Sequence, residues 1–179
     1  MLKQVLKAVP PGSGQLRLRG GKYITTNQQG DNMFKHILVP TDGSKLSAKA
    51  AKQAVKLAKA LGARITGFYA APDYTSTYYG DGYILRAPSA EAQAEVAQKQ
   101  ARKCLSAIEV EAEVEKVACE VFHTVSDSPY EAIIDVAKKK KCDLIFMASH
   151  GRRGLSGLVL GSETQKVLVH SKIPVLVCR

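Results

Sequence analysis

Short apolar segments alternate with amphipathic segments from residue 34 to the C-terminus. The first apolar segment, residues 34–40, ends at the turn-forming sequence Asp42-Gly43-Ser44, which is typical of a buried strand. Residues 45–61 then place apolar side chains on one helical face and lysines on another, and Gly62 follows directly. This pattern predicts an amphipathic helix that ends at a glycine.

The same alternation predicts the remaining elements. Strands are expected at residues 64–71, 113–122, 143–148 and 173–178, and helices at residues 89–108, 127–141 and 162–170. Strands that alternate with helices form a parallel sheet with helices on both faces, and right-handed crossovers make it doubly wound. Ligands of such sheets bind beyond the carboxyl ends of the strands, where the strand order reverses. We therefore expect a site between residues 40–44 and residues 149–164.

The second of these segments has the composition of a phosphate-binding loop. Its glycines, which let a backbone approach an anion closely, are Gly151, Gly154, Gly157 and Gly161. Ser162-Glu163-Thr164 then begins a helix, whose free N–H groups favour an anion, and the two hydroxyls can add donors. The alternative is a loop that uses glycine for turns and Ser162 as a plain helix cap. The loop is not a GxxxxGK[ST] motif, and it follows the fourth strand instead of the first, unlike a GxGxxG fingerprint.

The loop resembles the signature G-x2-G-x9-G-[ST] of the universal stress protein family. Gly151 and Gly161-Ser162 match its second half, whereas Ala148 stands where the first glycine belongs. The resemblance also covers the opening Ile37-Leu38-Val39-Pro40-Thr41-Asp42-Gly43-Ser44 and the closing Ile173-Pro174-Val175-Leu176-Val177. It extends over residues 33–179 and implies one Rossmann-like α/β domain, a doubly wound five-stranded parallel sheet of the adenine nucleotide α-hydrolase-like type with strand order 3-2-1-4-5.

The resemblance also implies a ligand, ATP or AMP, with Mg²⁺ as an optional companion. The residues implied to surround adenosine are Pro40, Thr41 and Asp42, with Asp42 near the ribose, and the backbone of Ala70 at the adenine edge. Those implied to flank the ribose and phosphate are Met147, Ala148, His150 and Gly151. Those implied to hold the phosphates are Gly161, Ser162, Glu163 (by its backbone) and Thr164. Family members commonly form homodimers through the last strand, and an uncovered apolar edge here fits that arrangement.

Three functions are compatible with these residues. The first is a regulatory stress-response module that binds ATP or AMP and hydrolyses ATP slowly at most. The second is a nucleotidyl-transfer enzyme of the related class, but Pro40-Thr41-Asp42-Gly43-Ser44 lacks the His-x-Gly-His or Ser-Gly-Gly-x-Asp loop of that class. The third is a dimeric interaction protein without nucleotide, which only Ala148 favours.

Two residues of the expected site have other interpretations. Asp42 could instead cap the first helix. His150 is expected to bind or pack, and no catalytic residue is assigned.

Composition adds the context. The net charge of +10 suits phosphate-bearing ligands in general. Part of it belongs to residues 1–32, which we expect to form a flexible basic extension ahead of a domain at 33–179. The four lysines at 138–141 are interpreted as a solvated helix end, so a nucleic-acid partner is not expected.

The four cysteines show no CxxC spacing, which argues against a metal site and favours a reducing, cytoplasmic location. No apolar run is long enough to cross a membrane.

Overall fold

The computed structural model describes residues 33–73, 89–151 and 160–179 in full. It also describes the backbone of two antiparallel strand pairs, Gln15–Arg17 with Tyr23–Thr25 and Tyr79–Gly80 with Tyr83–Ile84. The chain divides into two units, Met1–Met33 and Phe34–Arg179. The predictions for Gly154, Gly157 and most of residues 1–32 concern positions outside the described residues.

The second unit contains a five-stranded parallel sheet. Its strands are β1 (His36–Pro40), β2 (Arg64–Ala71), β3 (Cys119–Val125), β4 (Leu144–Ala148) and β5 (Val175–Cys178). They lie in the order β3-β2-β1-β4-β5, and every neighbouring pair is parallel. The predicted fold class and strand order are confirmed.

Four helices connect these strands in the described part of the unit: α1 (Lys45–Leu61), α2 (Ala90–Glu115), α3 (Pro129–Lys139) and α4 (Ser162–His170). One apolar core lies between the sheet and α1 and α2, and a second contains α3 residues together with Val167 of α4. Every residue of β1 and β4 is buried, because helices cover both faces of the central strands. The ends of these two strands therefore meet at one edge of the sheet.

The connection from β1 to α1 depends on short polar side chains. Ser44 is the N-cap, and its Oγ accepts a hydrogen bond from the N–H of Ser47 at 3.1 Å. Asp42 is not the cap, because its Oδ1 accepts from the N–H of Ser44 at 3.0 Å, one turn earlier. Gly62 ends the helix in the left-handed region at φ 62°, as the sequence predicts.

The boundary between α2 and β3 differs from the sequence prediction. The helix continues to Glu115 instead of ending near residue 108, and the strand begins at Cys119 instead of residue 113. Ile108 and Ala112 are buried at helical spacing, whereas Val114 is 71% exposed. Lys116, at φ 57°, closes the helix. The prediction that the strand begins at residue 113 was therefore wrong, because the alternating valines on which it rested span the end of α2 and the start of β3.

Candidate functional site

A cavity of about 560 Å³ opens beyond the carboxyl ends of β1 and β4. Its lining includes every site residue that the sequence predicts: Pro40, Thr41, Asp42, Ala70, Met147, Ala148, His150, Gly151, Gly161, Ser162, Glu163 and Thr164. The two predicted segments thus come together, as expected for the switch point of a doubly wound sheet. Arg152 and Arg153, which follow Gly151 in the sequence, lie outside the described residues.

The cavity also has lining residues that the sequence did not indicate. These are Ser47, Phe68, Tyr69, Pro72, Pro129 and Ile133. Ser47 could have been inferred from its position one turn after the Ser44 cap. Pro129 and Ile133 belong to the start of α3, and only the packing of that helix brings them to the strand ends.

One side of the cavity is apolar. Phe68 is fully buried, Met147 is 6% exposed, and Ile133 covers them from α3. Ala70 lies at the end of β2 on the same side and is half-buried. Such a wall suits a flat apolar group, and the polar atoms on the other side would orient it.

The segment after β1 forms a rigid polar wall. The N–H of Thr41 donates to the Phe68 carbonyl at 2.8 Å, which ties this segment to β2. The Thr41 hydroxyl donates to Oγ of Ser47 at 3.0 Å and accepts from the N–H of Gly43 at 3.1 Å. Because the side chains of Thr41 and Asp42 both bond within the turn, the wall is formed before any ligand arrives.

Gly151 packs directly against this wall. A Cβ atom added to Gly151 would lie 2.6 Å from Oδ2 of Asp42, so no other residue fits there without displacement. The first residue of the loop after His150 is therefore held against the segment after β1. This contact gives the second signature glycine a physical reason.

The start of α4 is held against β4 by two hydrogen bonds. The N–H of Gly161 donates to the Ser149 carbonyl at 2.8 Å, and the Thr164 hydroxyl donates to the Ala148 carbonyl at 3.1 Å. The Thr164 hydroxyl is thus engaged and buried, so the expectation that it adds a donor for a ligand was wrong. Gly161 is the N-cap and offers no side-chain cap, and the first-turn residues Ser162, Glu163 and Thr164 line this site.

His150 lies at the junction of these parts. Its Nδ1 is 3.1 Å from Oγ of Ser149, and its Cα would contact a Cβ at Gly161 at 3.1 Å. No carboxylate hydrogen-bonds to this ring in the described part of the chain, so the orienting acid of a general base is not seen there. This geometry agrees with a packing role.

The cysteines are not among the described lining residues of the site. Cys104, Cys142 and Cys178 are buried, Cys119 is half-buried, and none of the four takes part in a disulfide within the described residues. Burial raises the pKa of Cys119 and of Cys142 to about 11, so both stay protonated at neutral pH. In the described residues no group of three or more His, Cys, Asp or Glu side chains is arranged to hold a metal, and no helix could span a membrane.

The model of one protein family matches residues 33–179, and its description is the universal stress protein family. The chain belongs to this family. The universal stress protein MJ0531 of Methanocaldococcus jannaschii is 32% identical over 163 residues, which cover 88% of this chain and 91% of the relative. Universal stress protein YxiE of Bacillus subtilis is 34% identical over 150 residues, 82% of this chain and all (100%) of the relative.

Solved structures share the fold. That of MJ0577, also from Methanocaldococcus jannaschii, has a TM-score of 0.61 at 26% identity and covers 81% of this chain and 95% of its own. A universal stress protein from Archaeoglobus fulgidus in complex with dAMP has a TM-score of 0.55 at 18% identity, covering 82% and 99%. A family protein from Arabidopsis thaliana with AMP bound has a TM-score of 0.56 at 15% identity, covering 80% and 90%.

Proposed function

We propose that this universal stress protein binds an adenine nucleotide, ATP or AMP, and acts as a regulatory stress-response module. The observation that carries the proposal is the convergence of an uncapped helix N-terminus, Gly161–Thr164, with an apolar wall and a polar wall around one cavity. Family members of the same fold were solved with AMP and with dAMP. These ligands share the adenine base and one phosphate, and we assign the base to the apolar wall and the phosphate to the helix start.

The two ends of the cavity match the two ends of a nucleotide. The base would lie against Met147 and Ile133, with the Ala70 backbone at its edge. The phosphate would lie at the N–H groups of Ser162 to Thr164, because the positive end of a helix dipole and free N–H groups bind anions. Asp42 would face the ribose between them. A cavity of about 560 Å³ is of the size that binds small ligands.

Binding without rapid turnover is the second half of the proposal. Efficient phosphoryl transfer needs positioned metal ligands and a group that orients the attacking nucleophile. Only two carboxylates line this cavity in the described residues, Asp42 and Glu163. Both oxygens of Glu163 accept hydrogen bonds, from the N–H of Tyr130 and from Nζ of Lys166. We therefore expect slow hydrolysis of ATP at most, with Mg²⁺ entering alongside the phosphates.

The proposal is tested by calorimetric titration of the full chain with AMP, ATP and GTP, with and without Mg²⁺. Micromolar, adenine-selective binding is the expected result. Equal affinity for GTP would contradict the assignment of the Ala70 backbone to the adenine edge. If none of the three nucleotides binds, the proposal is refuted. That result would favour the dimeric interaction protein, in which the extra methyl group of Ala148 closes the site.

We also propose that the protein forms a homodimer through β5. In the described part of the chain this strand pairs only with β4, and Leu176 is 39% exposed on it. An uncovered apolar strand edge favours pairing with a second copy. Leu176→Lys should give a monomer in sedimentation experiments, whereas Val114→Lys, at an exposed valine of α2, should not. A wild-type protein that sediments as a monomer at all concentrations tested would refute the dimer.

A further inference from the structure

The starts of two helices lie side by side at the cavity. The first turn of α4 contributes Gly161 to Thr164, and the first turns of α3 contribute Pro129 and Ile133. The N-cap of α3 is Ser128, whose side chain makes no capping hydrogen bond. Pro129, at the first helical position, has no N–H, so Tyr130 carries the first N–H that needs an acceptor.

The acceptor comes from the other helix. Oε2 of Glu163 lies 3.0 Å from the backbone N of Tyr130 and caps α3 from a position 33 residues away in the chain. A carboxylate at a helix N-terminus is favourable both as a hydrogen-bond acceptor and through the helix dipole. Glu163 therefore satisfies at α3 the need that a ligand anion would satisfy at α4.

The remaining contacts of Glu163 hold this carboxylate in place. Its Oε1 accepts from Nζ of Lys166 at 2.9 Å, one turn further along α4. The same Nζ lies 5.1 Å from the centre of the Tyr130 ring, and the His170 ring lies 5.5 Å from it. The first turn of α3 is thus held along the length of α4, with Glu163 at the end nearest the cavity.

The first turn of α4 consequently has anchors on two sides. Thr164 donates to the carbonyl of Ala148, which ends β4, and Gly161 donates to the carbonyl of the next residue. Glu163 accepts from the first turn of α3. The N–H groups between these anchors are those that face the proposed phosphate. We infer that Glu163 is a positioning residue: its side chain caps α3 and thereby fixes the direction of the α4 N–H groups, which sets the affinity for the phosphate of the nucleotide and leaves the affinity for the nucleoside unaffected. This inference rests on the proposed function.

The test compares three variants of the full chain. Glu163→Ala removes the cap, Glu163→Gln keeps a carbonyl acceptor at the same reach, and Glu131→Ala removes a carboxylate from the same turn of α3 that makes no hydrogen bond to α4. Each is titrated with AMP and with adenosine. Because the cap is lost, Glu163→Ala should bind AMP about five- to tenfold more weakly than wild type. Its affinity for adenosine, and both affinities of the other two variants, should stay within about threefold of wild type.

The inference is overturned if Glu163→Ala binds AMP as tightly as wild type. It is also overturned if AMP and adenosine weaken equally, since the cap then supports the whole site, or if Glu163→Gln is as weak as Glu163→Ala, since charge then matters instead of capping. Amide exchange at Tyr130 reports the cap without any ligand and should accelerate only in Glu163→Ala. A wild-type protein that binds neither ligand refutes the nucleotide proposal, whereas unchanged exchange at Tyr130 refutes the cap.

Discussion

A Cβ atom on Gly151 would lie 2.6 Å from Oδ2 of Asp42, so the loop after β4 can meet the segment after β1 only because residue 151 has no side chain. Gly151→Ala should therefore displace either the loop or the carboxylate. Overpacking of a close contact costs about 1–3 kcal/mol, and we expect AMP to bind about tenfold more weakly. Calorimetric titration measures the change.

A double-mutant cycle isolates this contact. The free energy of unfolding is measured for Gly151→Ala in the wild-type background and again in an Asp42→Ala background. The alanine at residue 151 should cost less in the second background, because its collision partner has been removed. An equal cost in both backgrounds would show that Asp42 is not what the new methyl group meets.

The contact between Gly161 and His150 provides a second prediction. A Cβ on Gly161 would lie 3.1 Å from Cα and 3.2 Å from Cβ of His150, so Gly161→Val combined with Ser162→Ala should push α4 away from β4. Neither residue belongs to the two apolar cores, and the domain should stay folded by circular dichroism. Nucleotide binding should be lost.

The single variant Ser162→Ala serves as the control for this pair. It removes one hydroxyl, and a single hydrogen bond contributes about 0.5–1.5 kcal/mol, so AMP should bind about two- to tenfold more weakly. Retained affinity in the double variant would refute the assignment of the phosphate to this helix start.

The third prediction concerns pH and a buried histidine at the opposite edge of the sheet. His36 is 3% exposed, and its Nε2 lies 2.7 Å from Oγ1 of Thr66, which donates to Glu120 at 2.9 Å. Burial, followed by the nearby positive charge of Arg64, lowers the pKa of His36 below its ordinary value of 6.5. The unfolded chain therefore takes up a proton at a higher pH than the folded chain does.

The sign of the effect follows from this difference. Well above pH 6.5 residue 36 is neutral in both states. As the pH falls through that value the free energy of unfolding should decrease, until the folded pKa is passed. A pKa that is lower by one in the folded chain changes the free energy of unfolding by about 1.4 kcal/mol. His36→Gln keeps an N–H for Thr66 but does not titrate, so its unfolding should depend less on pH between 7 and 5. Parallel pH profiles for the two proteins would contradict this.

The fourth prediction concerns the N-terminal residues. The five-stranded sheet and both apolar cores lie within residues 34–179, and the family model begins at residue 33. We propose that this part folds alone. Deletion of residues 1–32 should change the melting temperature by less than about 2 °C, because 1 kcal/mol corresponds to about 2–4 °C in a domain of this size. A large decrease in calorimetry would show that the extension stabilises the domain.

The sequence was informative wherever the signal is local. The helix α1 begins after Ser44 and ends before Gly62, as predicted, because capping and a left-handed glycine depend on neighbouring residues alone. The alternation of strands and helices likewise determines a parallel sheet, since the crossovers have one hand. The end of α2 was misplaced, because the burial of Ala112 and the exposure of Val114 depend on where the sheet lies.

For the site, too, the sequence predicted one part and only the tertiary structure showed the other. The glycine spacing and the residues after β1 determined, without the structure, which segments would meet, because the carboxyl ends of parallel strands share one edge of the sheet. Only the tertiary structure decided what their side chains do there. The Thr164 hydroxyl donates to the Ala148 carbonyl, and the Glu163 carboxylate accepts from the N–H of Tyr130 in another helix. Those partners are distant in sequence, and a hydrogen bond forms according to distance and direction in space, which the order of residues along a chain does not encode locally.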